Sequence, residues 1–100
     1  MEYILTFENT NFAIQAERYL LQEGLQISVL PLPSQISAGC GICLRIVPEE
    51  IQKSLDILEK QGIKQTAVYL KETGIKVTGP NFRKVDLKSH FINQEKELLN

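Results

Sequence analysis

The sequence predicts an α+β fold, a ferredoxin-like βαββαβ two-layer sandwich with a C-terminal appendage, on three observations. Short β-branched and aromatic runs at 2–7, 26–31, 43–47 and 66–71 are interleaved with two helical stretches in the order β-α-β-β-α-β. Each helical stretch ends at a glycine, an apolar residue and a strand, so QEGLQISVL in the first half is echoed by KQGIKQTAVYL in the second. One hundred residues, 43% of them apolar, suffice for one compact core.

EYILTF opens the first strand, and Asn9 or Thr10 after it offers an N-cap. Ala13, Ala16, Tyr19 and Leu20 recur at spacings of three and four, the mark of one buried helix face, and Gly24 ends that helix with Leu25 packing back. QISVLP then reads as a strand that Pro31 and Pro33 stop. CLRIV is the third strand. Pro48 suits the first turn of a second helix, Glu49 and Glu50 complement its positive end, and Ile51, Leu55 and Leu58 form its buried face before Gly62. TAVYLK is the fourth strand. The expected division is a domain over 1–71 and an extension over 72–100, partly disordered or a short helix at 89–99, because Gly74, Gly79 and Pro80 break the pattern.

Eleven basic and twelve acidic side chains give a net charge of −1, which favours neither nucleic acid nor an anionic membrane. No run approaches the roughly 20 apolar residues of a membrane-spanning helix, and Glu2 and Glu8 fall where a secretory signal would be basic and then apolar. The expected location is the cytoplasm, where two cysteines are free thiols, metal ligands or transient redox partners rather than a structural staple.

Both cysteines lie in SQISAGCGICLRIV, residues 34–47. In the predicted topology the loop between strands two and three returns to the end of the sheet where the first helix starts, so Cys40 and Gly41 should lie close to Phe7 through Thr10. A helix start offers unpaired N–H groups and a partial positive charge, which favour a thiolate. Gly39 and Gly41 allow consecutive N–H groups to converge on an anion, and Ser34 and Ser37 add hydroxyls. Glycines and serines also populate such loops for conformational reasons alone, so the loop by itself leaves both readings open.

The CGIC spacing admits three readings. A disulfide oxidoreductase needs a helix directly after its first cysteine, whereas here a strand follows. A structural zinc site needs four ligands, and the chain has one cysteine pair and a lone histidine, His90, some way off. The third reading separates the thiols: along strand three, Ile42, Leu44 and Ile46 face one way and Cys43, Arg45 and Val47 the other. Cys43 is then a packing residue and Cys40 an exposed, reactive thiol in the loop.

The opening strand ending in Phe7, the helix start from Thr10 to Ala16 followed by Glu17, Gly24, the strand into Pro31 and Pro33, and above all ISAGCGICLRI resemble the selenium/sulfur carrier protein-like family of small bacterial domains. The resemblance spans about residues 2–70. It puts the family's cysteine on Cys40, its glycine on Gly41 and its strand arginine on Arg45, with Cys43 where a small residue is expected.

The resemblance implies a carrier. Cys40 would accept sulfur or selenium as a persulfide or selenenylsulfide, donor and acceptor proteins would be its partners, and no cofactor or metal is expected. Backbone N–H groups from Gly39, Gly41 and Ile42, together with Asn9, Thr10 and Arg45, would stabilise the anion. The alternative is a noncatalytic interaction or small-ligand-binding module with an incidental cysteine, its open sheet face covered by a second copy or by the tail. A self-contained hydrolytic enzyme is disfavoured: no histidine accompanies the cysteines, and Glu17, Glu23, Glu49, Glu50, Asp56, Glu59, Lys53, Lys60 and Lys64 read as solvated surface.

Overall fold

The two glycine stops act alike. In the structure, a computed structural model that describes residues 1–72 and 81–85, Gly24 has φ 77° and Gly62 φ 72°, the left-handed region open to glycine. The residue after each donates its N–H back into the helix, Leu25 to the Leu20 carbonyl at 3.2 Å and Ile63 to the Leu58 carbonyl at 2.9 Å. Both apolar residues are buried, so each cap also aims the following strand into the core.

The strands are β1 (Glu2–Thr6), β2 (Ile27–Pro31), β3 (Ile42–Ile46), β4 (Ala67–Glu72) and β5 (Asn81–Lys84); the helices are α1 (Thr10–Gln22) and α2 (Ile51–Lys60), the latter preceded by a short 3-10 turn at Pro48–Glu50. They build an α+β fold with one five-stranded antiparallel sheet, in the order β2-β3-β1-β4-β5. Four strands were expected. The fifth comes from residues 81–84, in the segment the sequence reads as an appendage, and it pairs along β4 with Leu70 opposite Arg83. The helix expected at 89–99 and His90 lie outside the described residues.

Asn9, not Thr10, caps α1: its Oδ1 accepts the Phe12 N–H at 2.9 Å. Asn9→Ala is expected to cost about 1 kcal/mol, read as a lower urea midpoint. The buried face of α1 is Ala13, Ala16 and Leu20, and that of α2 is Ile51, Ser54 and Leu58. Ser54 is buried because its hydroxyl donates to the Glu50 carbonyl at 2.8 Å, while Leu55 packs at the margin.

Strand alternation sorts the apolar residues into two clusters. Tyr3, Leu5, Phe7, Leu44, Ile46, Val68 and Leu70 face both helices in the main core. On the helix-free side Ile4, Ile36 and Cys43 form a second cluster, edged by Leu30, Leu32, Tyr69 and Phe82. Ile36 belongs to the β2–β3 loop, so the loop reaches over the end of the sheet and anchors on its far face.

Candidate functional site

The β2–β3 loop meets the start of α1 as its topology requires. Thr10, the first residue of α1, donates its hydroxyl to the Cys40 carbonyl at 2.8 Å. The Leu32 N–H reaches the Gly41 carbonyl at 3.1 Å and closes the base of the loop. Gly39 lies so close to the Glu8 carbonyl that a Cβ there would overlap it, and Gly41 turns the chain into β3 at φ 65°.

Cys40 is held from two sides. Its Sγ accepts the Phe7 N–H at 3.4 Å and approaches the Ile42 carbonyl at 2.7 Å, to which its S–H donates. β1 and β3 pair with Leu5 opposite Leu44, so the same register carried two residues further sets Phe7 opposite Ile42. The sulfur therefore stands where the next ladder bond between Phe7 N–H and Ile42 C=O would form. A neutral thiol suits this seat, offering an acceptor to the one group and a donor to the other.

The sequence places an exposed thiol at this position, and the structure corrects that: Cys40 is 1% exposed and part of the main core. Loop position did not leave it in solvent because Phe7 N–H draws the side chain inward, while Gly39 and Gly41 on either side stay exposed. Cys43 is fully buried in the second cluster, its Sγ 3.8 Å from the Pro31 carbonyl. The two thiols are free and lie on opposite faces of the sheet.

Of the residues proposed to stabilise an anion, Thr10 and Ile42 contact Cys40 and Gly39 and Gly41 flank it, while Asn9 serves the start of α1. Asn9 spends its oxygen on the helix cap, Thr10 holds the Cys40 main chain, and Ile42 presents its carbonyl. Arg45 is not among them. Strand parity sends it to the helix-free face, where its Nε pairs with Glu2 at 2.8 Å and its Nη2 donates to the Ser28 hydroxyl at 3.1 Å. The contribution of Phe7 N–H was legible only by extending the β1–β3 register past the end of β1. Among the described residues no three His, Cys, Asp or Glu side chains converge as a metal site would require, and no helix is long and apolar enough to cross a membrane.

Burial pushes the Cys43 thiol up to about 11, the charge of Cys40 acting in the same direction and Lys71 against it. The unfolded chain gives up this proton near pH 9 and the folded chain near pH 11. Stability from the neutral thiol is therefore complete below pH 9 and is lost as pH rises through 11, a fall of about 2 kcal/mol. Tyr3, raised mainly by burial, adds a change of the same sign. Urea midpoints compared across this range should fall less steeply in Cys43→Ala than in the wild type.

No curated protein shows significant similarity to the chain. A family model described as "Putative Se/S carrier protein-like" matches residues 2–70, a span that holds both helices, β1–β3, the first four residues of β4, the β2–β3 loop and both cysteines. That is well over half of the sequence, and the chain belongs to this Se/S carrier protein-like family.

Proposed function

We propose that the protein carries sulfur or selenium on Cys40 and passes it between a donor and an acceptor protein in the cytoplasm. The observation that carries this reading is the seat of Cys40 at the start of α1, where the Phe7 N–H already points at Sγ. An amide aimed at sulfur supports the attacking thiolate once the thiol proton is gone. We read β2-β3-β1-β4 with its two helices as a ferredoxin-like carrier domain over 1–71, and β5 as the part of the 72–100 extension that widens its sheet.

In loading, the Cys40 thiolate attacks the outer sulfur of a persulfide on the donor. A bond forms from Cys40 Sγ to that sulfur, the donor's S–S bond breaks, and the donor cysteine leaves as a thiolate. No external oxidant is needed. Delivery repeats the step with the acceptor's thiolate attacking the carried atom, and selenium follows the same balance as a selenenylsulfide. Cys43 lies across the sheet, so it does not resolve the loaded Cys40 into an internal disulfide. A cysteine desulfurase with cysteine, followed by intact mass, should add one sulfur to the wild type and none to Cys40→Ala. An unloaded wild type, or equal loading of the variant, would contradict the reading.

A second reading, an interaction module with an incidental cysteine, draws on the burial of both thiols. Under it the same incubation leaves the wild type unmodified, and association with a second copy or another protein proceeds unchanged in Cys40→Ala.

A further inference from the structure

We infer that loading Cys40 unseats it and loosens the β2–β3 loop, so that the loaded and empty carriers present different surfaces to a partner. This rests on the carrier reading for its cargo, but its physical basis lies in the seat. In the empty chain the sulfur fills the place of a ladder bond, accepting from Phe7 N–H and donating to the Ile42 carbonyl. Once Sγ is bonded to a second sulfur it has no hydrogen to donate. The Ile42 carbonyl then faces a sulfur lone pair at a separation of 2.7 Å, a buried acceptor without its donor. The added atom also needs room, and Cys40 is 1% exposed. Packing at interior density leaves little slack for another sulfur.

The relief available is outward movement of residue 40. What resists it is local: the Thr10 hydroxyl on the Cys40 carbonyl, the Leu32 N–H on the Gly41 carbonyl, and Ile36 anchored against Ile4 and Cys43. The exposed Gly39 and Gly41 flank the moving residue and give the backbone its freedom. With the sulfur gone, Phe7 N–H is free to close directly on the Ile42 carbonyl and extend the ladder by one rung, which offsets part of the cost. An acceptor that binds the loosened loop would then discriminate loaded from empty carrier by shape, without reading the cargo atom itself.

Methyl methanethiosulfonate tests this apart from any biological donor. The Cys40 thiolate attacks its sulfenyl sulfur, the new bond gives a methyl disulfide, and methanesulfinate leaves, so one sulfur is added in a stable form. Amide exchange is then followed by NMR on the full chain carrying the adduct, with Cys43→Ala used to assign it to Cys40. The Leu32 amide should exchange about tenfold faster or more, and the Phe7 amide resonance should shift, while Leu5 and Leu44 keep their protection. Reduction of the disulfide should restore the empty pattern. An adduct that leaves Leu32 and Phe7 unchanged would overturn the inference, as would modification that proceeds only in urea that unfolds the whole chain. Failure of sulfur transfer from a persulfide donor, with the amide response intact, would instead count against the carrier reading alone.

Discussion

Gly39→Ala is expected to lower stability by about 2–3 kcal/mol, at the upper end of the usual cost of forcing extra atoms into a packed site. The cause is steric: the new Cβ would overlap the Glu8 carbonyl oxygen, a backbone atom between β1 and α1 that has no rotamer to escape into. Relief must come from backing the loop away from the α1 start, which pulls on Thr10 and on the Cys40 seat. Gly41→Ala makes the contrast. No atom lies within 4 Å of a Cβ there, so its cost is the left-handed conformation alone, about 1–2 kcal/mol. Urea midpoints for the two variants give the order. Cys40 alkylation separates the causes further: it should speed up in Gly39→Ala beyond what its lower global stability accounts for.

Loss of sulfur loading is expected to be complete in Cys40→Ala and slight in Cys43→Ala, although both cysteines are buried. The distinction is one of surroundings. Cys40 has Phe7 N–H at its sulfur and exposed glycines beside it, whereas Cys43 sits among Ile4, Ile36 and Leu30, its sulfur 3.8 Å from the Pro31 carbonyl. Hydrocarbon neighbours disfavour the thiolate that the transfer needs, consistent with the raised Cys43 value. Intact mass after incubation with donor reads both variants directly.

Much of this arrangement was legible in the residues. Helix ends follow from Gly24 and Leu25 and from Gly62 and Ile63, because a left-handed cap followed by an apolar residue is a local signal. Parity along ICLRI puts Cys43 and Arg45 on the face opposite Leu44 and Ile46, while the pairing of Arg45 with Glu2 and Ser28 emerged only from the structure. Parity applies only within a strand, however, and Cys40 lies before β3 begins. Its burial depends on a backbone N–H at Phe7 and a carbonyl at Glu8, groups every residue carries and no side-chain pattern reveals. β5 escaped for a different reason. A short edge strand needs little apolar alternation, and Asn81–Lys84 is mostly polar.

Alkylation of the two single-thiol chains under native conditions bears most directly on the division of labour between Cys40 and Cys43. Cys43→Ala retains Cys40 alone, and Cys40→Ala retains Cys43 alone. Iodoacetamide should modify the Cys40 chain by local opening of the β2–β3 loop, at a rate insensitive to low urea. The Cys43 chain should react only in step with global unfolding. Equal rates governed by global unfolding in both chains, or faster reaction at Cys43, would contradict the assignment of Cys40 as the working thiol.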